Sequence, residues 1–577
     1  METSTPPAAP KSRAPKIAND RLTRWIGCGI SFALAFFVLF LTMPRYLNVY
    51  DESFMLTGAL RINAGELPYR DFYAIYGPAE YYALAGLFKL FGPSVLAERL
   101  FDFTVEALIV AAAFAIVYRY SNRWMAAFSA LIAFLWLVGF QGDLGSATMP
   151  VGLLNLVTAA VLLPLLIRRV STGRVILAGI LTGLAFLFRF DAGIGLLLVE
   201  ICVIAFSFGM RSAELRSSKT DFAKPLLCYL SGFALVVVPA AICFLRQSSF
   251  YPVLLDVVIL QGKYYRHYRH LPFPYFEWMK PYKMGVYLPI LALCGCLYSL
   301  WLAIVRSRTG SSARGELSHL RAAEAFLISF GLLAAAMYLK GIVRVSVFHM
   351  MLSILPSTLI AALLFYRRKE LSSPFRIFIT LLFLSFGAIS LASAARGEFN
   401  VYRTSKSLLS YLNGGFQATR SSDELSLKPF ALDDWCRQRN PVTRGYCFVS
   451  DPERLEAISF IASHTRPDQR ILVGVRNHQR VFANDNLIYF ASERLPATKW
   501  SEYDAGMQSN HEVQADMIQD LNRTVPPYVI LDAEFEDVQE PNDSSKNTGV
   551  TILDDYIRSK YTYLRSFGYL ELWRRKS

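Results

Sequence analysis

The sequence predicts a polytopic α-helical membrane protein of about eleven transmembrane helices, followed by a C-terminal extracytoplasmic α/β domain. Three observations lead there. Of 577 residues, 54% are hydrophobic, more than a water-soluble chain of this size needs for its core, so the excess must face lipid. Long apolar runs are separated by short basic loops over residues 24–394. Residues 395–577 then turn polar, with short runs of mixed period.

In chain order, residues 1–23 are rich in Pro, Ala and Lys, lack apolar periodicity and read as a disordered cytoplasmic tail. The run 25–43 is too long for a signal-peptide core and has no small-residue cleavage site after it, so an uncleaved first transmembrane helix is expected. Further spans are expected at 96–118, 124–140, 150–167, 175–188, 192–208, 226–245, 285–305, 322–339, 347–366 and 377–394. The short pair flanking Arg189 is expected to meet in a water-filled cavity.

Charge patterning orients these spans. With a cytoplasmic N-terminus, loops 119–123, 168–174, 211–224, 306–321 and 367–376 are cytoplasmic, and each holds basic residues, whereas the opposite turn at 141–149 holds none. The net charge of +14 is therefore a topology signal, and nucleic acid is not expected as a partner. Loop 246–283 breaks the rule: it is expected outside yet contains Lys263, Arg266 and Arg269 among Tyr264, Tyr265 and Tyr268. A lipid phosphate or pyrophosphate head group suits such a loop; a solvated loop touching anionic membrane lipids is the plainer alternative.

In the polar C-terminal region, 452–464 and 511–523 have helical spacing, while 471–474, 528–532 and 569–573 read as strands, so a small α/β domain with a partly parallel sheet is expected. It has no Gly-rich phosphate loop and no metal-ligand spacing. Six cysteines sit in apolar spans; Cys436 and Cys447 lie in this region, where an oxidising compartment would join them in a disulfide.

The first external loop, 45–95, opens on Asp51 and Glu52, adjacent carboxylates where a membrane helix leaves the bilayer. A partly desolvated carboxylate there could take a proton from an attacking hydroxyl, with its neighbour orienting it or binding metal. Alternatively, Asp51 caps the helix that follows.

The rest of the loop favours chemistry. After the acidic pair come Gly65-Glu66-Leu67-Pro68-Tyr69-Arg70-Asp71, then Tyr76-Gly77-Pro78-Ala79-Glu80-Tyr81-Tyr82, then Phe91-Gly92-Pro93 and Arg99. This ordered set resembles the first external loop of the GT-C superfamily of membrane glycosyltransferases, near protein O-mannosyltransferases, lipid A aminoarabinose transferases and bacterial lipopolysaccharide-core sugar transferases. The resemblance covers roughly residues 20–370. It implies a polyprenyl-phosphate sugar donor, a glycan, lipid or protein acceptor outside the cytoplasm of a bacterial inner membrane, inversion at the sugar carbon, Asp51 as base and Glu52 as its partner. Tyr69 and Asp71 fall on matching positions and, with Tyr76, are candidate substrate or lipid-phosphate contacts, and 77–91 is expected as an interfacial helix.

The resemblance extends to Arg189 with Asp191, after Gly183-Leu184-Ala185, as a donor-phosphate ligand and its counter-ion. A structural ion pair is the alternative. Arg344 and His349 match a recurrent Arg and His, although Ser346 stands where an acidic residue is frequent. Gln141 and Asp143 face the same side as possible contacts to an acceptor or a divalent ion; no cofactor is otherwise called for. The C-terminal domain, outside the shared core, is expected to help recognise the acceptor. A transporter or flippase would instead show an inverted hydropathy repeat, and none is visible; a non-catalytic polyprenyl-lipid-binding protein is the third reading.

Overall fold

The computed structural model describes residues 21–42, 47–140, 145–168, 170–212, 219–273, 280–308, 316–396 and 451–576. Gln141, Asp143, Cys436 and Cys447 lie outside the described residues, as does the N-terminal tail to residue 20.

Each expected span coincides with a helix. These are α1 (Arg21–Leu41), α4 (Val95–Tyr120), α5 (Arg123–Val138), α6 (Thr148–Leu162), α7 (Thr172–Phe188), α8 (Phe190–Ser212), α9 (Lys219–Gln247), α10 (Leu288–Arg308), α11 (Glu316–Gly341), α12 (Met351–Tyr366) and α13 (Ser373–Arg396). Among the described residues, eight helices are long and apolar enough to cross a membrane; α5, α7 and α12 are shorter. At about 1.5 Å per residue these three fall short of a hydrocarbon core of about 30 Å. Helix α12 is buried on every side from Met351 to Leu364, as expected of a helix apolar all round and sheathed by others. Helices α1 and α9 expose Leu22, Trp25, Leu227 and Leu235 instead, as a lipid-facing surface requires.

Small residues let these helices approach. A Cβ on Gly179 would lie 2.0 Å from the Tyr229 carbonyl oxygen, and one on Gly232 would lie 2.1 Å from that of Ile176, so α7 and α9 pack backbone against backbone. Helix α7 passes into α8 through the single extended residue Arg189. That turn is permitted by Gly193, whose Cβ would otherwise meet the Phe186 Cα at 2.3 Å.

Between α1 and α4 lie α2 (Asp51–Asn63) and α3 (Pro78–Phe91). Segment 250–268 is helical with two π turns, Leu255–Ile259 and Gln261–Tyr265. Helix α3 leaves Tyr82, Leu90 and Phe91 exposed while burying Tyr81, Leu84 and Phe88. Its buried face packs on protein: the Phe88 and Phe490 rings lie 6.1 Å apart.

The C-terminal domain comprises α14 (Pro452–His464), β1 (Leu472–Val475), α15 (Leu487–Ser492), α16 (His511–Thr524), β2 (Tyr528–Asp532), α17 (Ile552–Lys560), β3 (Tyr561–Phe567) and β4 (Leu570–Arg575). The sheet order is β1-β2-β4-β3, with β1 parallel to β2 and the other pairs antiparallel. This domain shares its core with the first external loop: Phe54, Leu84 and Phe88 join Ile458, Ile488 and Phe490 in one apolar cluster. Backbone bonds stitch the seam, from Asn486 N to Val49 O (3.1 Å) and from Tyr73 N to Lys499 O (3.1 Å).

Candidate functional site

Asn48 forms the start of α2. Its side-chain oxygen accepts from the backbone N–H groups of Tyr50 (2.9 Å) and Asp51 (3.0 Å), and its carbonyl accepts from the Ser53 hydroxyl at 2.7 Å. The capping role is thereby filled by Asn48, and Asp51 is the first helical residue, half-buried. A carboxylate suits that position, where the helix dipole favours negative charge.

Glu52 points the other way. Its carboxylate takes both a 2.7 Å and a 3.1 Å bond from the Arg99 guanidinium and a third from Asn48 N at 3.1 Å. Both side chains of this ion pair are about 1% exposed. Such a clamp holds α2 against α4. The loop returning toward α6 closes over it: Gly145 N donates to Asp102 at 2.8 Å. A Cβ on Gly145 would lie 2.6 Å from the Glu52 Cα, and its φ is +75°. Gly145→Ala is therefore expected to cost at least about 1–2 kcal/mol from the left-handed backbone alone, read as a lowered melting temperature of the purified chain. An unchanged melt would mean that the loop does not pack on α2.

The Tyr-Gly-Pro motif positions an aromatic against a cation. Gly77 N donates to the Phe188 carbonyl at 3.1 Å, and a Cβ on Gly77 would lie 2.0 Å from the Leu187 oxygen. The close approach sets the Tyr76 ring under the Arg189 guanidinium, 4.7 Å from its centroid. Arg189 also bonds Asp191 (3.0 Å) and the Thr148 hydroxyl (2.8 Å), and Lys340 reaches the same Asp191 at 3.6 Å. Burial pushes the Tyr76 phenol up; Arg189 opposes the shift and Asp51 adds to it, so both charges face this ring.

Two more arginines arrive from the other side. Arg269 bonds Asp504 at 2.7 Å, Phe482 O at 3.0 Å and the Tyr50 hydroxyl at 3.3 Å. Arg344 forks onto Glu540 at 2.6 and 3.0 Å and donates to Arg269 O at 2.8 Å. A backbone bridge between Leu271 and Arg344 sets the two segments side by side. Burial, followed by the charges of Lys340, Arg344, Arg189 and Arg269, pushes the His349 imidazole well below its usual range. Burial and four cations thus all favour the neutral form of this one histidine. The Ser346 hydroxyl accepts from His349 N (3.3 Å) and lies 2.7 Å from Nδ1; donating its proton there leaves Nε2 as the N–H donor. Tyr265 also feels Asp504, Arg344, Arg269 and Arg189.

The Asp51 charge thus acts on Tyr50, which touches Arg269, and on Tyr76, which touches Arg189. A third carboxyl, Glu502, is buried nearby; burial first, then the Asp504 and Asp51 charges, push it well up. Other expected residues serve elsewhere. The Tyr69 hydroxyl donates to Tyr76 O at 2.7 Å, while Asp71 accepts from Leu67 N at 2.8 Å and pairs with Arg70. Both shape the loop around the site. Lys263 is exposed over the Tyr264 ring, and the Arg266 side chain is outside the described residues. Among the described residues, no three His, Cys, Asp or Glu side chains are grouped as metal ligands.

The sequence reading missed Asp504, Glu540 and Glu502, which have no local signal, and Lys340, which lies four residues before Arg344 in the same motif. It also missed Arg61, which is buried and ties Asp71 O (2.7 Å) to Thr498 O (3.1 Å) and the Ser501 hydroxyl (3.2 Å) across the seam.

No family model and no curated protein sequence matches the chain. Among solved structures, ArnT from Cupriavidus metallidurans bound to undecaprenyl phosphate superposes with a TM-score of 0.52 at 13% identity, over 96% of this chain and 98% of that one. An oligosaccharyltransferase from Archaeoglobus fulgidus gives 0.46 at 12% identity, over 90% and 70%. The arabinofuranosyltransferase AftD from Mycobacteria gives 0.46 at 15%, over 96% and 41%. At these identities the likeness to ArnT concerns the fold. The chain shares the fold of ArnT, a multi-pass helical bundle with a C-terminal region built on a small sheet.

Proposed function

We propose that the chain is a membrane glycosyltransferase that moves a sugar from a polyprenyl-phosphate donor to an acceptor hydroxyl outside the cytoplasm, with inversion. The observation behind this reading is that the Asp51 charge acts on both Tyr50 and Tyr76, and each of these tyrosines touches an arginine, Arg269 and Arg189. The ArnT structure with the same fold holds undecaprenyl phosphate, a lipid of the donor class.

In this mechanism Asp51 takes the acceptor proton as the hydroxyl oxygen attacks the sugar carbon. The new carbon–oxygen bond forms on the face opposite the phosphate, and the bond to the phosphate oxygen breaks with its electron pair. The departing lipid phosphate gains negative charge, which Arg344, Arg189, Arg269 and Lys340 meet. Neutral His349 adds a hydrogen-bond donor. Glu52 does not touch substrate; held by Arg99, it fixes the helix that presents Asp51. The setting is a bacterial inner membrane, with the N-terminus in the cytoplasm and the C-terminal domain in the periplasm beside the acceptor.

The test is mass analysis of envelope glycans in a strain lacking the protein, together with sugar transfer by the purified chain in bilayers given polyprenyl-phosphate sugar. A missing sugar residue and transfer in vitro are expected. Unchanged glycans with altered distribution of polyprenyl lipid between leaflets would point to a flippase and end the proposal.

A further inference from the structure

We propose that Glu540, on the C-terminal domain, is an internal surrogate for the donor phosphate: it occupies the Arg344 fork until a lipid phosphate displaces it, so that the appended domain sets how tightly the donor is held. This rests on Arg344 being a phosphate ligand.

The geometry of the pair is the first support. Both terminal nitrogens of Arg344 donate to the two Glu540 oxygens, at 3.0 and 2.6 Å. A guanidinium grips a phosphate in the same two-pronged way. Arg344 keeps a separate anchor in the Arg269 carbonyl at 2.8 Å, so it stays aimed when the carboxylate leaves.

Charge is the second support. The four cations that act on His349 are met by three carboxylates, Asp191, Asp504 and Glu540. This pairing leaves the cluster one net positive charge, and release of one carboxylate raises it to two and frees a guanidinium for an entering phosphate. Asp191, although its side chain is 48% exposed, is held in the first turn of α8 by two cations, Arg189 and Lys340, and by Ala192 N. Asp504 is enclosed with Arg269, at 5% and 8% exposure, and also accepts from Tyr50. Glu540 and Arg344 are 15% and 16% exposed.

Chain context is the third. Glu540 lies between β2 and α17, a stretch whose only regular element is the short turn Asp543–Ser545. Its displacement breaks no strand ladder. Burial works against ionisation of Glu540, but the Arg344 bonds and charge, with help from Asn542, hold its carboxyl below the usual range. It is therefore an anion at neutral pH and competes as one.

The experiment measures binding of undecaprenyl phosphate to the full chain in nanodiscs. Glu540→Gln keeps the shape and removes the charge; its Kd is expected to fall roughly tenfold, the factor by which occupancy of the fork had masked the site. Arg344→Gln is expected to weaken binding by a similar factor. An unchanged or raised Kd in Glu540→Gln, with Arg344→Gln still weakened, overturns the surrogate and leaves the glycosyltransferase reading standing. Wild-type affinity in Arg344→Gln removes Arg344 from the phosphate site and overturns the proposal at its premise. Should Glu540→Gln melt early, Asn542→Ala decides: it removes the 2.9 Å bond to Glu540 while keeping the carboxylate. A smaller fall in Kd is then expected, and no fall overturns the proposal.

Discussion

Asp51→Asn is expected to lower sugar transfer by roughly 10²–10⁴-fold, the usual contribution of a general base, while undecaprenyl phosphate still binds. The substitution changes two atoms' chemistry and little else. Helix α2 does not depend on the Asp51 side chain for its cap, because Asn48 accepts from the backbone N–H groups of residues 50 and 51. The stability lost includes the interaction of one carboxylate with the helix N-terminus, about 0.3–1 kcal/mol. The ion pairs of Arg189 with Asp191, Arg269 with Asp504 and Arg344 with Glu540 keep all their atoms in this variant. Transfer assayed with saturating donor, alongside a binding isotherm, separates the outcomes. Retained transfer would end the base assignment; lost transfer with lost binding would move Asp51 to the donor site.

The sequence showed the bundle clearly and the site only in part. Helices were legible because lipid imposes apolar runs long enough to see one at a time. The loop motif was legible because Gly77 is demanded by close approach to the Leu187 carbonyl and Pro78 suits the first position of α3, and such demands leave fixed residue types. Strand β3 was missed for the opposite reason: its residues 562–566 are all exposed, so no alternation marks it. The partners of the arginines were illegible on other grounds. Asp504 and Glu540 stand 235 and 196 residues from Arg269 and Arg344, and nothing near them in sequence signals a cation. The Asp-Glu pair read as a base and its orienting partner, but adjacent helical positions point about 100° apart, and Glu52 turns inward onto Arg99. Only the packing of α4 against α2 shows which of the two does so.

That division predicts an asymmetry between Arg99 and Glu52. Arg99→Gln is expected to destabilise the chain by about 3–5 kcal/mol, the cost of stranding a buried charge. Glu98 and Asp102 lie close enough to Arg99 and Glu52 to feel both charges, so loss of the arginine leaves three buried carboxyl groups without its compensation. Glu52→Gln removes one of those three and should cost less, because Arg99 still faces the other two. The double variant should be more stable than the sum of the single effects, since each change relieves part of what the other strands. Melting of the purified chain in detergent orders the four proteins. Transfer by the same set decides what Glu52 does. If Glu52 only fixes α2, activity per folded molecule should fall in step with the displacement of Asp51, so that Arg99→Gln is the worse enzyme. If Glu52 exchanged protons with substrate, Glu52→Gln would be the worse enzyme despite being the more stable protein, and its positioning role would be refuted.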